Sequence, residues 1–262
     1  MELRPRESLS ATELREHQVL EGLLSRIPGL RARISGNPDD DDDDDDDDHR
    51  LVASLIQKGV SAARSDDTKG LKGAVIDWIT PGWRTPESPL HRNTKTDRGF
   101  NHDCTGHLLC PVELDWTDPS TKEQLRLGEI QLSGEQWSHF LYQNYTFNPA
   151  NPWEGLFRSE LLVNGYKFIF TSPSSVENEP KATRSGNARI HDMKKVTLPS
   201  LAYVATQVWF ALTSAATFSQ LGVANYAEDL YNSIIELLED PEELEHVSSL
   251  LAWWNQCVIL PS

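Results

Sequence analysis

A long uncharged stretch dominates the C-terminal half of the chain, because no Asp, Glu, Lys or Arg occurs between Lys195 and Glu228. Within it, residues 201–218 (LAYVATQVWFALTSAATF) approach the length of about 20 residues that a bilayer-spanning helix needs. Five Ser, Thr and Gln side chains dilute the hydrophobicity of this segment, and no Lys/Arg cluster follows it. We therefore predict a central helix, about residues 199–218, buried inside a globular protein, over the alternative of a membrane span.

Helix-starting patterns recur along the chain, whereas strict apolar/polar alternation is almost absent. Ser10 with Glu13 forms a capping box, and Asp118 followed by Pro119 is typical of a helix start. Further helix starts are predicted at Asp67, at Ser133 with Gln136, at Asn225 with Glu228, and at Asp240 with Pro241. These patterns predict a mainly α protein of eight or nine helices, a multi-helix globular domain around the central helix with a helical N-terminal arm.

One segment in this pattern has two interpretations. Residues 155–171 (GLFRSELLVNGYKFIFT) look helical, but a strand over residues 166–170 is the alternative. The choice decides whether the fold contains any sheet.

An unbroken run of ten Asp, Asp39–Asp48, supplies most of the net charge of −16. Because adjacent like charges repel and Asp is a poor helix former, we expect this run to be extended and solvated. The predicted organisation is a helical arm over residues 1–36, a disordered poly-Asp linker over 37–50, and an α-helical domain over 51–262. Docking of basic proteins is a second interpretation of the run, and weak Ca²⁺ binding is a third, disfavoured because the run contains no turn-forming Gly.

Three cysteines, Cys104, Cys110 and Cys257, are too few and too scattered for a disulfide framework. The N-terminal residues lack the apolar core of a secretory signal. Both observations favour an acidic intracellular protein of the nucleus or the cytoplasm.

The segment GFNHDCTGHLLCP (99–111) concentrates side chains that bind metals or catalyse reactions. They are His102, Asp103, Cys104, His107 and Cys110. Zinc sites usually combine two close ligand pairs separated by a longer loop, and no second pair of this kind occurs. We therefore favour a packed helical turn, with the two histidines and two cysteines as weak metal candidates only. His102 has two open roles, either fixing the loop or facing a ligand.

Phosphate-binding and nucleophile-elbow signatures are absent from the sequence, and nothing in it indicates a cofactor. A basic segment stands out instead, within PKATRSGNARIHDMKK (180–195). Its cations are Lys181, Arg184, Arg189, Lys194 and Lys195. They are candidates for binding phosphate or for pairing with the Asp run, and a solvated loop is the alternative.

Four sequence blocks together resemble a known family: GFNHDCTGHLLCPVELDW (99–116), LFRSELLVNGYKFIFTSPSS (156–175), NARIHDMKKVTLPSLAYVATQVWFALTS (187–214) and LLAWWNQCV (250–258). The family consists of uncharacterised proteins of mushroom-forming (basidiomycete) fungi that share a domain of unknown function, and the resemblance covers about residues 70–258. It implies a largely helical protein with a variable N-terminal region and no known activity. Because the family pattern includes Gly99–His102, Thr105 and Leu108–Pro111 but neither Cys104 nor His107, the resemblance weakens the metal hypothesis.

The sequence thus favours a non-enzymatic binding or scaffold protein without a membrane segment. Its candidate partners are basic proteins at Asp39–Asp48, or nucleic acid at the 181–195 basic loop. The alternative is an enzyme with a polar site near His102, Asp103 and Cys110.

Overall fold

The computed structural model of this protein describes residues 10–35, 44–80, 89–176, 187–190, 192–218 and 222–258. Its α-helices are α1 (Ala11–Arg26), α2 (Leu30–Ser35), α3 (Asp44–Ile79), α4 (Asp103–Leu109), α5 (Pro119–Leu127), α6 (Glu160–Tyr166), α7 (Asn187–Ile190), α8 (Leu198–Leu212), α9 (Val223–Glu239) and α10 (Leu244–Cys257). Two isolated β-bridges, and no strand, occur within these ranges. The predicted mainly α fold class is confirmed.

The chain divides into two compact units, Met1–Arg64 and Ser65–Ser262. In the first unit, the predicted capping box is present at the start of α1, where Ser10 and Glu13 bond reciprocally. The structure differs from the expected linker over residues 44–50, which are helical at the start of α3. Acidic residues stabilise a helix N-terminus through the helix dipole, which offsets the poor helix propensity of Asp. Residues 36–43 lie outside the described ranges, and the predicted domain division stays a prediction.

Helix α8 lies in the core of the second unit and packs against α4, α6 and α9. Twelve of its 15 residues are buried. It ends at Leu212, six residues before the expected end at 218, because Thr213 is extended and its hydroxyl donates to the carbonyl of Phe210 at 2.8 Å. The buried amide of Gln207 accepts a hydrogen bond from the Thr68 hydroxyl at 3.0 Å, so a polar side chain is accommodated inside the core.

The predicted helix start at Asp67 is wrong, because α3 runs through this position without interruption. Asp67 instead accepts a hydrogen bond from the hydroxyl of Tyr203, a residue of α8, at 2.8 Å. Burial raises the pKa of the Asp67 carboxyl, while the bond from Tyr203 opposes that rise.

The helix predicted from Ser133 with Gln136 is also wrong. The Gln136 side chain does accept from the backbone N–H of Ser133 at 3.1 Å, but the chain continues into two short 3₁₀ turns, His139–Leu141 and Gln143–Tyr145. Asn144 and Tyr145 have φ angles of 55° and 57°, which an α-helix cannot contain.

The helical interpretation of residues 155–171 is the correct one from Glu160 onwards. Helix α6 continues directly into a π-helical turn, Lys167–Thr171, and the alternative strand over 166–170 is wrong. None of the helices in the described ranges combines the length and the apolarity that crossing a bilayer demands.

Candidate functional site

His102 caps the helix that the GFNHDCTGHLLCP segment forms. Residues Gly99–Asn101 make a 3₁₀ turn, and His102 is the N-cap of α4. Its Nδ1 atom accepts a hydrogen bond from the backbone N–H of Cys104 at 3.1 Å. Of its two open roles, this contact supports the one that fixes the loop.

Asp103 contributes to the packing of the same segment. Its carboxylate accepts a hydrogen bond from Trp116 Nε1 at 3.0 Å and forms an ion pair with Lys122. The Lys122 amine also lies over the Trp116 ring, 5.1 Å from its centroid. The carboxylate of Asp103 therefore ties together two side chains from other segments, Trp116 and Lys122.

The two cysteines of the segment are buried. Burial, reinforced by the neighbouring carboxylates of Asp115 and Glu113, raises the pKa of the Cys110 thiol to about 12. The thiolate is the nucleophilic and metal-binding form, so Cys110 is poorly suited to either role at neutral pH.

His107 stacks on His139, with ring centroids 4.9 Å apart and the planes inclined by 17°. Burial lowers the pKa of both imidazoles, and their proximity further lowers that of His107. In the part of the chain that the structure describes, no three His, Cys, Asp or Glu side chains converge as a metal site would require.

The basic candidates are only partly described. Lys181 and Arg184 lie outside the described ranges. Arg189 and Lys195 are exposed, and the exposed Lys194 lies 3.5 Å from the carboxylate of Asp192. The three candidates that the structure describes are therefore all exposed.

A cleft of about 320 Å³ opens at the C-terminal end of α8. Its apolar lining comes from widely separated positions: Phe100, Leu109, Leu132, Trp209, Val223 and Tyr226. Three aromatic rings contribute, and Trp209 and Tyr226 stack with centroids 4.5 Å apart. Among the described residues that line the cleft, none carries a charged side chain.

Polar groups form the smaller part of the cleft lining. Thr213 and Ser214 follow the end of α8 and line the cleft on that side. Tyr226 forms a side-chain hydrogen bond with the buried Ser138, and burial raises the pKa of its phenol to about 12. The tyrosine hydroxyl is therefore neutral and fixed, and it orients the aromatic ring that lines the cleft.

Gly99 sets the close approach of two segments beside the cleft. It has a φ angle of +67°, and a Cβ atom at this position would lie 3.2 Å from the backbone nitrogen of Ser214. Only glycine adopts this backbone conformation without strain and leaves space for Ser214. The GFNHDCTGHLLCP segment thus contributes Gly99, Phe100 and Leu109 to the cleft, rather than its histidines or cysteines.

Two buried basic side chains hold the last turn of α8, and sequence reasoning missed both. Lys95 Nζ donates to the carbonyl of Phe210 at 2.5 Å, and Arg98 Nη1 donates to the carbonyl of Ala211 at 2.7 Å. Arg98 is fully buried and also bonds the carbonyls of three residues between 91 and 94. A cation at a helix C-terminus complements the helix dipole, so this pair fixes the residues that lead into Thr213 and Ser214.

The fold and the cleft place the chain in a broad class: mainly α-helical proteins with an apolar, aromatic-lined cleft at the end of a buried helix. Within that class, the chain belongs to a family of unknown function, DUF6698, whose model matches residues 58–259. This match confirms one part of the resemblance inferred from the four sequence blocks: the chain contains a domain of unknown function that defines a family. No curated protein and no solved structure shows significant similarity to the chain.

Proposed function

We propose that this protein is a non-enzymatic binding module that holds a small, largely apolar ligand in the cleft at the end of α8. The observation that carries the proposal is the cleft itself, whose lining is aromatic and aliphatic with two hydroxyl groups at one side. Its volume of about 320 Å³ lies at the lower end of the range typical of ligand sites, about 300–1,000 Å³.

The contacts at the GFNHDCTGHLLCP segment support the enzyme alternative less well. His102 caps a helix, Asp103 is engaged by Trp116 and Lys122, and the Cys110 thiol is buried. Each of these side chains has a structural task that accounts for its position. The cleft lies beside this segment and takes none of these side chains into its lining.

The test uses an uncharged fluorescent dye, N-phenyl-1-naphthylamine, titrated into the full chain. We expect saturable enhancement of its emission, because the dye leaves water for an apolar site. Val223→Trp places a large ring in the cleft and should abolish the enhancement. Leu127→Trp adds the same side chain at an exposed site outside the cleft and should leave it intact.

Two results would contradict this function. Wild-type protein that gives no saturable enhancement has no usable cleft. Equal binding by the wild type and by Val223→Trp, with unchanged helical circular dichroism, would place the dye elsewhere.

A second candidate function, docking of basic proteins, is favoured by the charge of the C-terminal region. After Lys195 the sequence contains no Lys or Arg. From Glu228 through Glu245 it contains eight acidic residues, counting both ends. Seven of these eight are exposed, on α9, α10 and the turn between them. An acidic surface attracts basic partners electrostatically. This role suits the predicted nuclear or cytoplasmic location. Both that location and the fungal origin of the family stay predictions.

Capture of purified histones tests this second function. The full chain is compared with a chain lacking Asp39–Asp48 and with a triple variant, Glu239→Gln, Glu242→Gln and Glu245→Gln. Loss of capture in the triple variant assigns docking to the α9–α10 surface, and loss in the deletion assigns it to the Asp run. If the full chain captures nothing at low salt, the docking function is rejected.

A further inference from the structure

The N-terminal helices expose an unusual share of apolar side chains. Six of the nine large hydrophobic residues that are exposed in the described ranges lie before residue 65: Val19, Leu20, Ile27, Leu51, Leu55 and Val60. Helix α1 has no buried residue among those whose side chains are described. From Ser10 to Arg64, only Leu30 and Val52 are buried in the described part.

Such helices need a covering surface. The sequence specifies α1 strongly, with a capping box at Ser10 and Leu, Val or Ile at helical spacing from Leu14 to Ile27. Isolated helices of this length are marginal in water and depend on burial of an apolar face. With only Leu30 and Val52 buried in the described part, these helices form almost no core of their own.

The charges of the same helices are arranged in a self-complementary way. From Ser10 to Glu21 the sequence has three Glu and one Arg, whereas from Gly22 to Ser35 it has three Arg and no acidic residue. Helix α3 repeats the pattern, with five Asp at positions 44–48 followed by Arg50, Lys58 and Arg64 and no acidic residue between 49 and 65. Helix α1 itself holds its three Glu at positions 13–21 and Arg26 in its last turn, and the other two arginines lie on α2. The first half of α3 runs from an acidic part to a basic part.

We propose that two copies of this chain associate through α1 and the first half of α3, with equivalent helices antiparallel around a two-fold axis. An antiparallel pair places the acidic part of each helix opposite the basic part of its copy, and a two-fold dimer is the commonest closed assembly. Apolar residues of both copies then cover one another. The partner is a second copy because the chain itself supplies both halves of the charge pattern. This inference is independent of the cleft and its ligand.

The first test is analytical ultracentrifugation of the full chain over a range of concentrations. The triple variant Val19→Gln, Leu51→Gln and Leu55→Gln keeps good helix formers at exposed positions and should weaken dimerisation about a hundredfold or more. The control, Leu127→Gln with Leu244→Gln, changes two equally exposed residues of the second unit and should leave the dimer intact. Unchanged helical circular dichroism shows that the variants fold.

The second test addresses the antiparallel arrangement. Glu16→Arg and Arg26→Glu each create like charges across the pair, so each variant alone should dimerise about tenfold more weakly. An equimolar mixture of the two should recover much of the lost association, since opposite charges meet again in the mixed dimer.

Three outcomes would overturn the proposal: a wild-type chain that is monomeric at every concentration, a dimer that the apolar triple variant leaves unchanged, or charge variants whose mixture shows no recovery. A monomer in which α1 is nevertheless well protected would show that another part of the chain covers it.

Discussion

Lys95 is a primary amine held in the protein interior, and only 6 % of its surface is exposed. Its Nζ atom lies 3.4 Å from the centroid of the Phe210 ring and donates to the Phe210 carbonyl. Burial, together with the nearby cations Arg98 and Lys72, lowers the pKa of this amine to about 7. Both contacts favour the charged form, so the lowered pKa reflects the larger cost of removing the ammonium from water.

Protein stability should therefore rise with pH above neutrality. Between pH 7 and the ordinary lysine pKa of 10.5, the unfolded chain binds a proton at Lys95 that the folded chain has released. By proton linkage, the free energy of unfolding increases across this window and is lowest where both states carry the proton. We expect Lys95→Met to flatten the rise measured by urea unfolding at pH 7, 8 and 9.

The matched control for Lys95 is Lys194→Met, which removes an exposed amine and should leave the rise unchanged. An equal pH dependence in wild type and Lys95→Met would show that Lys95 does not carry the effect.

The stacked imidazoles of His107 and His139 should make the fold sensitive to mild acid. Burial lowers the pKa of each ring below the ordinary 6.5, so the unfolded chain takes up protons first as the pH falls. Stability is then lost progressively below pH 6.5. His107→Phe keeps a flat ring in the stack and should make this loss less steep, as measured by thermal unfolding between pH 7 and 5.

His246→Phe is the control for this acid sensitivity, because His246 is an exposed histidine that also stacks on an aromatic ring, that of Trp153. If both variants shift the acid transition equally, the effect does not come from the stacked pair of His107 and His139.

At the scale of the element, α4 owes its position to a glycine. A Cβ atom on Gly106 would overlap the indole ring of the buried Trp116, which is held by its bond to Asp103. Gly106→Ala should therefore destabilise the fold by about 1–3 kcal/mol despite the better helix propensity of Ala. Denaturant unfolding measures this change.

Gly73→Ala is the comparison within the same unit. The three atoms nearest its new Cβ all belong to the guanidinium of Arg92, at 3.3 Å or more, and that side chain is largely exposed and able to move. We expect a gain of up to about 1 kcal/mol. Gain of stability in both variants would mean that helix propensity, rather than the overlap with Trp116, governs these sites.

Local capping patterns predicted some helix starts correctly. Ser10 caps α1, and Asp118 caps α5 with Pro119 at its first position. These starts are encoded within a few residues, because the capping oxygen and the N–H groups it accepts from are close in sequence. The same kind of pattern failed at Asp67, whose carboxylate bonds Tyr203 of α8. That contact joins positions 136 residues apart, so no local pattern reveals it.

At the scale of the whole molecule, the candidate site could be only half predicted. The GFNHDCTGHLLCP segment was singled out for its His and Cys residues, yet it contributes Gly99, Phe100 and Leu109 to the cleft. The remaining lining residues come from Leu132, the end of α8 and the start of α9. An apolar cleft has no sequence signature, because its lining residues resemble core residues until the fold shows which of them face a space.

The two compact units should differ in how readily their backbone opens. Helix α8 buries 12 of 15 residues, whereas α1 buries none of those described, so the α8 amides should exchange with solvent far more slowly. Hydrogen exchange followed by mass spectrometry measures both helices in one experiment. If two copies pair through α1, its protection should increase with protein concentration while that of α8 stays constant. If the α1 amides are as well protected as those of α8 in dilute solution, pairing of two copies through α1 is contradicted. A single chain would then already cover the apolar face of α1.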